Sequence, residues 1–518
     1  MLISRSLYKL CFLAGIASLL GAAGCGSSGV VIPHSTGNYS NASFKGSYVY
    51  QIHGFLADAN SYPYRETGVI TADGAGNITA GVDAFTSSAF TGGPIQSTAS
   101  VTGTYTIASD GTGQVLLSST GLGVEVGSTQ ISLAVTLAST SQAELMEADV
   151  FASGAGTAEL QDPTAISAAP SGTFVFRLHQ EVDAQSSSSA SEVGVFAVAS
   201  GSLTSGSMDQ SLFPVSSSLL SLTAGTFSTP TSFGAGTGSF TDSSPYQTNF
   251  LYYIVNSAKF VLLASNSGSV GSGSAEVQSG AVGNGLAGTY AFGSRGDDFN
   301  FYADLATVGQ FTGSGATISS GALDLMQEGT EGGSVSQPTT FTGTPTTTTS
   351  NPSPQGRVQV TLSTGTPVIF WMVSPSRAFF LDNTPTTSAE DGTADLQTNA
   401  SFSAASLKGQ FALIMDGMDV LNSFPEGLAR VGTLQFDGAS KLTLVELANA
   451  SQSGTGATNP GALAGNYQVG GSGRITTQIN GNNSGGPDLV IYAISGAQGY
   501  ALQVDPGTNT SGMVQLQQ

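Results

Sequence analysis

Gly156-Thr-Ala-Glu-Leu-Gln161 is the first of four related stretches. The others are Gly273-Ser-Ala-Glu-Val-Gln278, Gly392-Thr-Ala-Asp-Leu-Gln397 and Gly512-Met-Val-Gln-Leu-Gln517. Their last glutamines are 117, 119 and 120 residues apart. A fixed period of that size means four copies of one structural unit. Working outward from these endings, the units span 44–161, 168–278, 284–397 and 404–518. A chain of 518 residues is too long for one core, so a division into several domains is expected.

Each unit opens on a strand-like stretch: Gly46-Ser-Tyr48-Val-Tyr50, Gly172-Thr-Phe174-Val-Phe176, Gly288-Thr-Tyr290-Ala-Phe292 and Gly409-Gln-Phe411-Ala-Leu413. Large side chains two residues apart in every copy mark the core face of a half-buried strand. Asp73-Gly74 and Asp437-Gly438 then lie between alternating runs, a hairpin signal. A fourth strand (Val101–Ile107, Leu463–Val469) turns through glycine into a fifth. The sixth strand is almost wholly apolar in three units: Phe250–Val255, Val368–Val373 and Leu489–Ile494. Such a run predicts burial on both faces, against a neighbouring unit. Trp371, the single tryptophan, lies in it and reads as core. A seventh strand (Ala143–Ala148) and the recurring ending complete about eight strands. The fold class is therefore all-β: four tandem antiparallel meanders, each a small barrel or sandwich. Short linkers, 162–170, 279–285 and 398–406, predict beads on a semi-flexible string unless the units dock. The endings themselves predict one apolar face and one wet face. The Thr346–Pro354 run is expected to be a disordered loop.

Charged residues are only 9%, with 69 glycines and a formal charge of −21. Thirteen cations against 34 acids exclude nucleic acid as a partner, because phosphate binding needs cationic density. The two cysteines, Cys11 and Cys25, both lie near the start, so the repeats have no disulfide framework.

Arg5 and Lys9 precede an apolar run, Leu10–Leu20, too short to span a membrane comfortably. Gly21-Ala22-Ala23-Gly24 and Cys25 follow. This stretch resembles the signal peptide of bacterial lipoproteins. Ala23 and Gly24 match the small positions before the cut, and Ala22 stands where Leu is more usual. The resemblance implies a signal peptide 1–24, lipidation of Cys25 with acyl chains such as palmitate, and a flexible tether over 25–43. Gly26 after the cysteine, rather than Asp, implies the outer membrane. The repeat resembles an uncharacterised tandem β-repeat of envelope proteins in soil bacteria, a family that implies no activity.

The chemistry-bearing residues are few. His53 and His179 occupy one position in units one and two, where units three and four have Arg295 and Asp416. A shared base or metal ligand does not tolerate that exchange, so these four read as polar residues at the exposed end of the first strand. Glu144, Glu147 and Asp149 read as a solvated strand edge rather than paired catalytic carboxylates. Asp73–Asn77 reads as a hairpin turn rather than a calcium loop, and Asp297-Asp298 is no stronger a calcium signal. No nucleophile elbow, zinc-protease motif or phosphate loop is present. The expectation is a non-catalytic envelope lipoprotein without cofactor or metal. Its anchor partner is the membrane, and its modules serve adhesion, extracellular glycan or envelope-protein binding, or a structural role. Variable loops such as Ser87–Thr98 are the expected contact surface. The alternative is a carrier holding small apolar ligands inside the barrels.

Overall fold

The computed structural model describes residues 38–518 except 58–60, 88, 90–94, 98–100, 120–128, 183–187, 213–214, 281, 283–284, 299–302, 328–337, 347–355, 385–387, 420–425, 453 and 480–486. The signal peptide, Cys25, most of the Ser87–Thr98 loop and all of the Thr346–Pro354 run but Thr346 lie outside the described residues.

The repeat is a closed barrel. Units two, three and four are each eight antiparallel strands in sequential order, the last pairing with the first. In unit one the strands Lys45–Leu56, Pro63–Asp73, Asn77–Ser87, Thr102–Ile107, Thr112–Ser118, Gln130–Ser139, Gln142–Glu147 and Ala152–Leu160 close in the same way. There a short extra strand, Ile95–Ser97, adds to the third. Closure hides the edges of the first and eighth strands, which otherwise would template unwanted pairing. At the turn between the second and third strands the Asp73 carboxylate accepts the amides of Ala75 and Asn77 at 2.6 and 3.0 Å, as a hairpin turn requires.

The large residues of the first strand fill each interior. Tyr48 and Tyr50, Phe174 and Phe176, Tyr290 and Phe292, and Phe411 and Leu413 stand at the centre of four separate cores. Facing Tyr50 and Phe292 across the first hairpin are Gly68 and Gly309. The ring of each aromatic lies over its glycine, where a Cβ would come within 2.7 and 2.5 Å of it. The interiors are packed. A void in barrel four between Leu407, Phe411, Phe436 and Ile491 holds about 10 Å³, room for about one water.

The units are not beads on a string. The outward face of the first two strands of each unit packs on the sixth and seventh strands of the next. Val49 and Val69 meet Leu251, Tyr253 and Val255; Val175 and Val193 meet Ile369, Trp371 and Val373. Ala291 and Val308 meet Val490, Tyr492 and Ile494, and Ile414 and Val431 of unit four return to Ala134 and Met146 of unit one. The four barrels thus form a ring with pseudo-fourfold order. The apolar sixth strand is buried on both faces because one face lines its own barrel and the other lines a seam. Trp371 is fully buried there.

The six-residue endings fasten this ring. Their glycine permits close strand approach: a Cβ on Gly156, Gly273 or Gly512 would sit 1.8, 1.9 or 1.9 Å from a carbonyl oxygen of the first strand. Their acidic face is not wet. Glu159 pairs with Lys259 of unit two at 2.6 Å, Glu276 with Arg377 of unit three at 3.0 Å, and Gln515 donates to Gln142 of unit one at 3.1 Å. The final glutamines reach into the next barrel. Gln161, Gln278, Gln397 and Gln517 donate through Nε2 to the carbonyls of Ile254, Met372, Ala493 and Leu137 at 2.7, 2.9, 2.7 and 2.7 Å. Each following residue repeats the step through its amide, ending with Gln518 on Ala138.

Candidate functional site: the ring axis

Along the first strand the inward row is the barrel core, so the alternate residues point outward, and their loop-side members converge on the ring axis. His53, His179, Arg295 and Asp416, predicted as exposed strand ends, instead meet other units there. Asp416 accepts from Arg295 Nη1 at 2.6 Å and lies 3.0 Å from His53 Nε2. Arg295 Nη1 also lies 3.0 Å from that nitrogen, and its Nη2 donates to the Asp416 carbonyl at 2.6 Å. Three units are joined at this carboxylate. Beside it, Asp391 of unit three takes Arg177 Nη1 at 3.1 Å, His179 Nδ1 at 2.8 Å and the Ser191 hydroxyl at 2.8 Å, all from unit two. The four strand positions fail as four equivalent sites and succeed as parts of one composite site.

Electrostatics follow from this enclosure. Burial would raise the Asp416 carboxyl, but Arg295 and His53 outweigh it and hold it down at about 2. Asp391 is likewise lowered against its burial, by His179 and Arg177. Burial lowers His53, with Arg295 and Arg65 acting in the same direction against Asp416. For His179 burial is again the largest influence, but Asp391 and Asp297 overcome it and the net shift is upward. Two histidines at one repeat position are thus tuned in opposite directions.

Ser191, His179 and Asp391 have the composition of a nucleophilic triad but not its geometry. The serine hydroxyl donates to the aspartate, and it lies 3.2 Å from the same His179 Nδ1 that the aspartate holds. Activation of a serine needs the other imidazole nitrogen. The trio therefore acts as a polar lock between units two and three. Among the described residues, no group of three or more His, Cys, Asp or Glu side chains is placed to hold a metal ion.

Two related locks sit in the seams. Asp209, fully buried, takes Arg357 Nε and Nη2 at 2.8 and 2.7 Å and Trp371 Nε1 at 2.8 Å. Asp324 takes Arg474 Nε and Nη2 at 2.8 and 2.6 Å and the Tyr492 hydroxyl at 2.7 Å. Most of the described ion pairs join different units, so the scarce cations serve assembly. The carboxylates Glu144 and Glu147, expected on a solvated edge, are both buried. Glu147 joins Glu66 and Asp83 inside barrel one; burial, and then Asp83 acting on Glu66 and Asp149 and Glu66 acting on Glu147, raise both far above the usual carboxylate range. Sequence reading missed this cluster because Glu147, on the seventh strand, reaches the Glu66–Asp83 pair of the second and third strands only when the barrel closes.

No family model matches the chain, and no curated protein matches it. Among solved structures, it is similar at 9% identity to a single-substitution mutant of the vaccine antigen Transferrin Binding Protein B (TbpB) from Haemophilus parasuis Hp5. That match covers 74% of this chain and 85% of the other at a TM-score of 0.19. Among the described residues no helix is long and apolar enough to cross a membrane.

Proposed function

We propose that the chain is a non-catalytic outer-membrane lipoprotein, anchored through Cys25 after removal of residues 1–24, with a tether over 25–43 and the units bounded at 44–161, 168–278, 284–397 and 404–518. The ring is then a rigid platform that presents one end for binding extracellular glycan or an envelope protein. The observation that carries this reading is polarity along the barrels. Tyr39, where the tether arrives, donates to the carbonyl of Gln518 at 2.8 Å. It lies at the end of the ring that bears the tight turns, such as 74–76 and 140–141. The described strand ends that lead into longer connections, Ser87 and Ser118 for instance, lie at the opposite end, towards which the axial site is displaced. Tyr39 to Ser43 are docked on barrel one, so about 13 residues of that tether remain ahead of them, and a random coil of that length reaches only about 20 Å, which keeps the tight-turn end near the membrane. Packed interiors disfavour the carrier alternative, since small-molecule sites occupy roughly 300 Å³ or more.

The test combines two measurements. Cys25→Ser is expected to abolish acyl labelling; labelling that persists sinks the anchor. The purified chain from residue 26 is expected to co-sediment with isolated envelope polysaccharide or to retain an outer-membrane protein. Failure with both fractions refutes the binding platform and leaves a purely structural role.

A further inference from the structure

Three seams of the ring are also bridged by the chain itself, at 162–171, 279–285 and 398–407. No segment joins unit four to unit one. That seam is held without a covalent bridge, by the Gln517 and Gln518 contacts, the Gln515–Gln142 bond, the His53–Asp416 pair, the apolar face of Ala134, Met146, Ile414 and Val431, and hydrogen bonds that include those of Asn449. Asn449 Nδ2 donates to the carbonyls of Glu147 and Ala152, each at 2.8 Å.

Into the same seam the seventh strand of unit one places Glu144. On that strand Ala143 and Leu145 face the barrel core, so Glu144 shares the outward row with Met146, a seam residue. Glu144 is 1% exposed, and its Oε2 has no hydrogen-bond partner. Strand pairing aligns it with Val261, Phe379 and Tyr500 in the other units. The seams backed by chain carry apolar or aromatic side chains at this position, and the unbridged seam carries a carboxyl. The charged group acting on Glu144 is Glu159 of the adjoining strand, itself paired with Lys259 of unit two. The unit-four side chains of the apolar patch in this seam, Ile414, Ala429, Val431 and Leu447, are uncharged. Toward the loop end the seam holds the His53–Asp416 pair, with Arg295 and Arg65 beside it. On the same strand Glu147 faces the barrel interior.

We propose that the unit-four/unit-one seam is the gate of the ring: it is closed while Glu144 is protonated, and loss of that proton drives the two barrels apart into an open arc.

An ionised carboxylate in an apolar seam without a cation is costly, whereas in the open arc water solvates it. Burial, reinforced by Glu159, pushes Glu144 up to about 8 in the closed ring. Between the ordinary glutamate range and about 8, the closed ring holds a proton that the open arc has released. The opening constant therefore rises about tenfold per pH unit through that window and levels off above it. His53 is lowered in the closed ring, so it opposes this slope chiefly below its ordinary value of 6.5. From pH 6.5 to 8 the tail of the His53 titration opposes Glu144 by at most about twofold.

The test uses the full chain with Cys11→Ser and Cys25→Ser, so that Met146→Cys supplies the single thiol. Its alkylation rate is corrected for thiolate fraction with the unfolded chain. The rate is expected to rise about tenfold from pH 6.5 to 8. It stays flat when Glu144→Gln is added, and flat for Leu263→Cys in the unit-one/unit-two seam. Glu144→Val, which installs the residue of unit two, provides a second closed variant. A flat Met146→Cys profile overturns the proposal, as does a slope that survives both Glu144 substitutions or a parallel rise at Leu263→Cys. Small-angle scattering of the Cys25→Ser chain gives an independent reading, with a larger radius of gyration expected at pH 8 than at 6.5. An unchanged radius also refutes the gate.

Discussion

Replacing Asp209 by Ala tests whether the seams are specified by buried charge locks. Asp209 is fully enclosed between units two and three. Four donors converge on it: Arg357 Nε and Nη2, Trp371 Nε1 and the Leu219 amide at 2.8 Å. Arg357 is itself only 9% exposed. Removing the carboxylate leaves a buried guanidinium without its counter-charge, a loss of about 3–5 kcal/mol. The orphaned indole and amide add roughly 1 kcal/mol each before relaxation. We expect Asp209→Ala to lose about 4 kcal/mol in urea unfolding. Trp371 is the only tryptophan in the chain and one of the four contacts, so its emission reports the seam directly. A red shift should appear before barrel unfolding. Adding Arg357→Met removes the stranded charge and should restore most of the stability, to within about 1 kcal/mol of the parent. A single variant that loses less than 1 kcal/mol with unchanged emission would falsify the view that this lock fixes docking. If the double variant is no better than the single, loss of packing rather than stranded charge is the cause.

Gly156→Ala places a methyl 1.8 Å from the Gln51 carbonyl and should cost about 2 kcal/mol or more, against under 1 for Thr157→Ala; calorimetry decides. Burial pushes Glu192 and Glu390 each up to about 7. The folded chain then holds protons that the unfolded chain releases above the ordinary glutamate range, so stability should fall from pH 5 to 7. Asp416, held at about 2, acts oppositely: its contribution is complete above the ordinary aspartate range and is lost as pH falls toward 2. The melting temperature should therefore peak near pH 4–5, and a flat or rising profile from 5 to 7 contradicts the carboxyl assignments. Deleting 404–518 bares Ala291 and Val308 on unit three and Ala134 and Met146 on unit one. Light scattering should show self-association of the three-unit chain; a stable monomer would mean that the seams contribute little.

The barrel was legible in the sequence because its determinants are local. The Tyr48–Tyr50 row, the Asp73-Gly74 turn and the alternation of the endings are patterns within a few residues of one another. The ring was not, because its determinants are relations between copies. Gln161 recurs visibly, but nothing in a single unit says that its amide will meet Ile254 of the next. Glycine turns between the fourth and fifth strands were legible, and Gly111, Gly234, Gly356 and Gly473 stand just before the fifth strand of each unit. Their second role is to leave room at positive φ for the neighbour's glutamine, whose Nε2 a Cβ would approach to between 2.7 and 3.0 Å. Glu144 shows the same limit in reverse. Its strand reads as polar on one face, which signals solvent unless a neighbouring barrel covers it.

The unlike residues at the axial position follow from closure. On a fourfold axis each copy meets its own equivalents, so four identical ionisable side chains would bring like charges together. Four aspartates at the place of Asp416 would repel, and four arginines at the place of Arg295 would do the same. Four tandem units in one chain escape this constraint, because each copy can diverge separately. The result is a carboxylate in unit four that serves the guanidinium of unit three and the imidazole of unit one. The seams show the same division of labour: Glu159 with Lys259, Glu276 with Arg377, and the neutral Gln515 with Gln142 where the ring closes on itself. The order matters, since exchanging units one and four would set Glu159 opposite the neutral Gln498 and Lys259 opposite Gln515, breaking the Glu159–Lys259 pair. Divergence within the repeat thus encodes the order of the barrels, and loss of chemical identity at the equivalent positions is what allows a single asymmetric site to form at the centre.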